Sequence, residues 1–205
     1  MKVNPNYLAY AAITLSMVAI VLFLSHKKDN NENKQAKSIE TEKDERAFFW
    51  QIYPKLVIQT EGTLVDNSTS ILDTAEHELP VKNLFEGRTR DSILIFRFSK
   101  FDCDVCIKET IPILKKAFGE QPDRVLLLVD GMSPRDFRIK YKDANILFPT
   151  YFIKEGLKLP LENKNIPFFF IMDKTRFSAS KLFLPNKLYP QQTRAYLKNV
   201  LPLIQ

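Results

Sequence analysis

The feature that most restricts the fold of this chain is an apolar run that leads directly into its two cysteines. Residues 92–99 read SILIFRFS, a segment rich in isoleucine and phenylalanine and interrupted only by Arg97. A run of this length and composition is typical of a central strand that is buried on both faces. Cys103 and Cys106 follow at C-x-x-C spacing. The chain is therefore expected to present a dithiol at the end of a central strand.

The cysteines are predicted to open a helix that runs from about Cys103 to Phe118. Apolar residues recur at helical spacing along it, at Ile107, Ile111, Leu114 and Phe118. Gly119 is a plausible stop. Residues three apart on a first helical turn lie on one face, so the two sulfurs can be joined with little backbone strain.

Other segments extend the pattern of alternating elements. Strands are predicted at residues 124–131, 166–173 and 177–184, and helices at residues 133–144 and 189–201. We expect residues 48–59 to pack on the core and residues 70–85 to form a short strand, a turn and a loop. The order β-α-β-α-β-β-α combines a parallel crossover with an antiparallel hairpin, which predicts an α/β fold with a mixed central sheet.

The N-terminal part has a different composition. Residues 7–25 contain no charged side chain and are long enough to cross a bilayer as a helix. No small-x-small cleavage site follows them, so we predict an uncleaved anchor over residues 1–25 rather than a signal peptide. Residues 26–46 contain six basic and six acidic residues and are predicted to be a charged linker. The predicted globular domain covers residues 47–205.

The overall charge indicates little about partners. The formal net charge is +6, from 30 basic and 24 acidic residues. No lysine or arginine cluster dominates and no nucleic-acid-binding motif is present, so we expect no nucleic-acid partner.

The strand that runs into C-x-x-C, the helix that carries Pro112 and the Ile166-Pro167 pair ahead of an apolar strand together resemble the thioredoxin-like superfamily. More narrowly, they are similar to the membrane-anchored TlpA/ResA type of bacterial thiol–disulfide oxidoreductase. The resemblance covers roughly residues 70–203. It implies a thioredoxin-like three-layer sandwich with a mixed central sheet, here preceded by one N-terminal transmembrane helix. It also implies thiol–disulfide exchange with protein thiols and disulfides.

The sequence departs from the family pattern at three places. Phe101-Asp102 precede the first cysteine, where the family usually has Trp. Asp104-Val105 lie between the cysteines, where Gly-Pro or Pro-Pro is common. Pro112 stands six residues after Cys106 instead of the usual five.

The motif assigns different roles to the two thiols. The partial positive charge of a helix N-terminus favours a thiolate at Cys103, which is therefore the expected nucleophile. Cys106 would resolve the mixed disulfide. The resemblance implies that Pro167 follows a cis bond and faces the cysteines, and that Ile166 helps to dock an extended substrate backbone. No cofactor or metal is expected beyond the redox-active disulfide Cys103–Cys106.

Charged residues near the motif are expected to tune this chemistry. Asp102 and Asp104 should raise the pKa of the Cys103 thiol, which favours a reducing pair. Alternatively, the two acids are ordinary helix-start residues. Arg97 is either a buried charge near the dithiol or an edge residue that reaches solvent, and the second is expected unless a partner is found.

Four other functions were compared with thiol–disulfide exchange. A zinc site needs about four N/S ligands, but His26 adjoins the predicted anchor and His77 lies in the loop before the motif, so neither is expected to join the cysteines. A copper-chaperone site would have C-x-x-x-C spacing and a histidine after the second cysteine, and this chain has neither. A peroxiredoxin-type peroxidase would need a threonine where Lys100 stands. A structural disulfide would gain little, because so short a loop removes little chain entropy. A catalytically inactive thioredoxin-like binding module stays open, since the motif Trp is missing.

Redox chemistry also predicts the location of the domain. Disulfides persist outside the cytoplasm, so we expect a single-pass protein of the bacterial inner membrane with its C-terminal domain in the periplasm. The family resemblance implies a membrane-embedded electron donor as a further partner.

Overall fold

A computed structural model describes residues 51–162 and 164–204 of the chain. The predicted anchor and linker, and the first residues of the predicted domain, lie outside this part. No helix in the part of the chain that is described is long and apolar enough to cross a membrane.

Within the described residues, eight strands form one mixed sheet. In chain order they are β1 (Thr63–Leu64), β2 (Ser70–Leu72), β3 (Glu78–Pro80), β4 (Ser92–Ser99), β5 (Val125–Asp130), β6 (Thr150–Ile153), β7 (Phe168–Asp173) and β8 (Ser178–Phe183). Their order across the sheet is β1-β8-β7-β4-β5-β6-β2-β3. Strands β4, β5 and β6 are parallel, whereas β7 is antiparallel to β4 and to β8. The predicted mixed central sheet is thus confirmed.

Helices connect and flank these strands. The α-helices are α1 (Tyr53–Thr60), α2 (Asp104–Phe118), α3 (Pro134–Lys140) and α4 (Pro190–Val200). Short 3₁₀ helices cover Val81–Phe85, Pro122–Arg124, Lys142–Ala144 and Leu201–Ile204. Helix α2 ends at Gly119, the predicted stop.

One predicted helix was too long and one strand was missed, in both cases for local reasons. The predicted helix over residues 133–144 is broken, because α3 ends at Lys140 and a 3₁₀ turn follows it up to Asn145, whose φ of 44° is left-handed. Strand β6 was missed, because its four residues are too short a run to be recognised from periodicity. β6 nevertheless extends the parallel part of the sheet beyond β5.

Both faces of β4 are buried, as predicted for a central strand. Leu94, Phe96 and Phe98 belong to one core with apolar side chains of α2, α3 and α4. The alternate residues Ile93 and Ile95 are also buried, so the opposite face is covered as well. The Phe96 ring stacks on that of Phe169 in β7, with centroids 4.5 Å apart.

This topology brings three chain segments to one edge of the sheet. Ser99 at the end of β4 pairs with Asp130 at the end of the parallel strand β5. Strand β7 runs the other way, so its first residue, Phe168, pairs with Arg97. The loop to the cysteines, the end of β5 and the segment before β7 therefore meet where parallel strands present their carboxyl ends.

Candidate functional site

The two cysteines form a disulfide at the N-terminus of α2. Their Cα atoms are 5.2 Å apart, and both residues are half-buried. Cys103 is the N-cap residue, and its sulfur accepts a hydrogen bond from the Cys106 N–H at 3.2 Å. A thiolate at this position would face the positive end of the helix and a backbone donor.

A buried ion cluster lies at the base of the motif. Arg97 is 2% exposed, and its guanidinium contacts Asp130 at 2.6 Å and Asp102 at 3.4 Å. The expectation that Arg97 reaches solvent was wrong, because these two carboxylates compensate its charge within the fold. Asp102 is also buried and is not an exposed helix-start residue.

Asp102 shapes the turn that leads to the first cysteine. Its carboxylate accepts hydrogen bonds from the Ser99 N–H at 2.8 Å and from the Ser99 hydroxyl at 2.7 Å. The same hydroxyl accepts from the Phe101 N–H at 3.2 Å. One buried carboxylate therefore joins the end of β4 to the residue that precedes Cys103.

Asp104, between the cysteines, lies in a different environment. Its carboxylate contacts Lys108 at 2.8 Å, one turn along α2, and Lys140 at 3.0 Å, at the end of α3. Hydrogen bonding from Lys108, followed by that from Lys140 and their positive charges, lowers the pKa of Asp104. Asp104 therefore stays ionised beside the disulfide.

Tyr141 packs beneath these acids. Its ring contacts Phe98 and Phe137, and its side chain is buried. Burial, and then the carboxylates of Asp104 and Asp102, raise the pKa of the Tyr141 hydroxyl. The hydroxyl therefore stays protonated.

Sequence reasoning did not assign Asp130, Lys140 or Tyr141 to the site. These residues are 26 or more positions beyond Asp104 in the chain, and no local pattern connects them to it. The Lys108–Asp104 pair, by contrast, has i,i+4 spacing, so its contact can be predicted from the sequence once a helix is expected there.

The segment before β7 lies at the same edge of the sheet as the end of β4, and its proline has a trans peptide bond. Pro167 is buried and Ile166 is half-buried, immediately before the residue that pairs with Arg97. The described residues contain no cis peptide bond, so the expected cis Ile166-Pro167 bond was wrong. Pro167 precedes the strand, so its missing N–H costs the sheet no hydrogen bond. The Ile166-Pro167 peptide bond can therefore keep the trans form that is generally favoured.

Two apolar side chains beside the disulfide are exposed. Phe101 is 69% exposed and Val105 is 54% exposed. They occupy positions next to Cys103 and Cys106, and the Lys100 ammonium lies 4.8 Å from the Phe101 ring centroid.

Residues 51–162 and 164–204 hold no group of three or more His, Cys, Asp or Glu side chains suited to a metal ion. His77 is bonded to Asp73 on the loop between β2 and β3.

Comparisons with known proteins identify the fold. No family model and no curated protein matches the chain. The thioredoxin domain of a thiol-disulfide oxidoreductase from Bacteroides vulgatus superposes with a TM-score of 0.50 at 14% identity, over 71% of this chain and 98% of that one. A thiol:disulfide interchange protein from Bacteroides sp. gives 0.46 at 12% identity, over 67% and 90%. A peroxidoxin from Mycobacterium tuberculosis gives 0.46 at 12% identity, over 69% and 98%. The likeness to the Bacteroides vulgatus domain shows a thioredoxin-like fold, as predicted.

Because Asp102 is buried and Asp104 is half-exposed, we predict that the two aspartates affect the pKa of the Cys103 thiol to different extents. Replacing Asp102 or Asp104 with Asn should lower the pKa of the Cys103 thiol, because each change removes a negative charge near its thiolate. Asp102→Asn should have the larger effect, since solvent screens the half-exposed Asp104 more strongly. The pKa can be followed by the pH dependence of alkylation in a Cys106→Ser background, where Cys103 is the only thiol.

Asp123→Asn is a matched control, because Asp123 precedes β5 at the opposite edge of the sheet. An unchanged pKa in both Asp102→Asn and Asp104→Asn would contradict the electrostatic account.

Proposed function

We propose that this chain is a thiol–disulfide oxidoreductase that exchanges electrons with protein thiols and disulfides through Cys103 and Cys106. The observation that carries the proposal is the half-exposed disulfide at the N-terminus of α2, whose first sulfur receives a backbone hydrogen bond. A structural disulfide has no need of this position, whereas a reactive thiolate is stabilised by it.

The exchange requires only the two thiols. In the reducing direction, the Cys103 thiolate attacks one sulfur of a substrate disulfide, and the other substrate sulfur leaves as a thiolate. The Cys106 thiol loses its proton to solvent and attacks Cys103, which releases the second substrate sulfur. The substrate gains the two electrons that the dithiol loses in forming the Cys103–Cys106 bond. No cofactor takes part in this scheme.

The buried charges favour the reducing direction. Arg97 and Asp102 are buried and Asp130 is only 23% exposed, and together they carry a formal sum of one negative charge at the edge of the sheet that leads into the motif. A negative charge with little solvent screening disfavours the Cys103 thiolate and so destabilises the reduced form. A pair whose reduced form is destabilised gives up its electrons more readily.

The exposed side chains of Phe101 and Val105 suit a protein substrate. They provide apolar contact area on either side of Cys103, where a polypeptide near its disulfide would lie. Ile166 and Pro167 are proposed to shape the same site from the segment before β7.

The location follows from the sequence and from this chemistry. Residues 1–25 would anchor the protein in the bacterial inner membrane, residues 26–46 would serve as a spacer, and residues 47–205 would act in the periplasm. This organisation is that of the TlpA/ResA type, and a membrane-embedded protein would then resupply electrons.

A redox titration tests the activity. The purified full-length chain in mild detergent should show one reversible two-electron couple against a thiol/disulfide buffer, followed by alkylation of free thiols. Cys103→Ser and Cys106→Ser should each abolish the couple, since neither sulfur can then form the internal disulfide. A wild-type pair that stays oxidised or reduced across the buffer range would contradict the proposal and support an inactive binding module.

A reporter fusion tests the topology. Alkaline phosphatase fused after Gln205 should be active in intact bacteria, because that enzyme folds only where its disulfides can form. An inactive but expressed fusion would place the domain in the cytoplasm.

A further inference from the structure

Two lysines from different helices share the one carboxylate that lies inside the C-x-x-C motif. Lys108 contacts one Asp104 oxygen at 2.8 Å, and Lys140 contacts the other at 3.0 Å. The three side chains therefore carry a formal sum of one positive charge. Asp104 is adjacent to Cys103 in the chain, so this positive charge is held by a residue of the motif itself.

Helix stability explains only one of these lysines. Lys108 has the i,i+4 spacing that supports many helices. Lys140 instead contacts Asp104 from the end of α3, and a half-exposed ion pair of this kind adds little to the stability of a fold. A second ammonium on an already paired carboxylate adds less still. The positive charge of Lys140 is therefore not fully compensated by Asp104 and can interact with a second negative group.

Lys140 is well placed to keep that charge near the motif. Its side chain is 32% exposed, compared with 59% for Lys108. Its ammonium also lies 5.5 Å from the Tyr141 ring centroid, where the face of the ring favours a cation. Of the two lysines it is the less hydrated and the more restrained.

We infer that Lys140 supplies positive charge that stabilises the Cys103 thiolate when the disulfide is opened. The inference rests on the proposed function and names a further residue that sets the reactivity of the same site. Lys140 counteracts the excess negative charge of Arg97, Asp102 and Asp130, and so keeps the thiolate available near neutral pH. Lys108 contributes in the same sense, but with more solvent screening.

The charged and titratable groups of the motif and of the residues in contact with it come from several elements. They are Arg97 of β4, Lys100 and Asp102 of the following loop, Asp104 and Lys108 of α2, Asp130 of β5, and Lys140 and Tyr141 at the end of α3. Tyr141 stays neutral because its pKa is raised. Lys140 is the member of this set that joins α3 to the motif by an ion pair.

Reduction creates the charge that Lys140 would meet. A dithiol reductant such as dithiothreitol transfers two electrons to the Cys103–Cys106 bond and becomes a cyclic disulfide. The two sulfurs of the chain are left as a Cys103 thiolate and a Cys106 thiol, with the remaining proton released to solvent. Any group that stabilises the thiolate lowers the pKa of Cys103 and makes the couple less reducing.

The test is a double-mutant cycle on Lys140 and Asp104. In the full-length chain with Cys106→Ser, Lys140→Gln should raise the pKa of Cys103 by roughly half a unit, a loss of about threefold in thiolate fraction near neutral pH. The same rise should occur in an Asp104→Asn background, because Lys140 acts on the sulfur directly. With both cysteines present, Lys140→Gln should make the reduction potential more negative.

Matched variants separate charge from folding. Lys140→Arg keeps the charge and should preserve the pKa, whereas Lys142→Gln, two residues further along, should leave it unchanged. A rise that disappears in the Asp104→Asn background would overturn the inference, because Lys140 would then act only by neutralising Asp104. No rise in either background would also overturn it. A wild-type chain without a reversible couple would refute the proposed function itself, which is a separate outcome.

Discussion

The buried guanidinium of Arg97 is the constraint on which the site depends. A cation that is 2% exposed must be compensated, and Asp102 and Asp130 provide the carboxylates from two separate segments at one edge of the sheet. The Asp102 carboxylate also accepts two hydrogen bonds from Ser99, so the group that compensates Arg97 also stabilises the turn between β4 and Cys103. The position of Cys103 therefore follows from the burial of a cation near the end of the central strand.

Two clusters of charge with opposite net sign include residues that flank the first cysteine in the chain. The buried cluster has an excess of carboxylate, and the half-exposed cluster formed by Asp104, Lys108 and Lys140 has an excess of ammonium. The sequence shows the two aspartates but not their partners, so it suggested that both act in one direction. We propose that the two clusters act in opposite directions on the thiolate that reduction creates, and that the difference between their effects sets its stability.

The parts of the fold that sequence patterns predict are those defined by local periodicity. Strand β4, helix α2 and the β7–β8 hairpin follow from apolar runs, capping and turn residues, whereas the four-residue β6 is too short for its pattern to be distinctive. The dithiol could be predicted from the sequence because both cysteines lie in one motif. The ion pair that compensates the charge of Arg97 could not be predicted, because Asp130 is 33 residues away and only strand pairing brings it near. The trans bond at Pro167 was missed because the expectation came from a resemblance and not from this chain's own residues.

The most direct test of this account is the free energy of unfolding of the oxidised full-length chain with Arg97→Met, measured in urea. Leaving Asp102 buried, and Asp130 partly buried, without their cation should cost about 3–5 kcal/mol. Arg90→Met is the matched control, because Arg90 forms an ion pair with the largely exposed Asp123, and its loss should cost at most about 1 kcal/mol. A cost for Arg97→Met no larger than that of Arg90→Met would contradict the claim that the buried cluster holds the site in place.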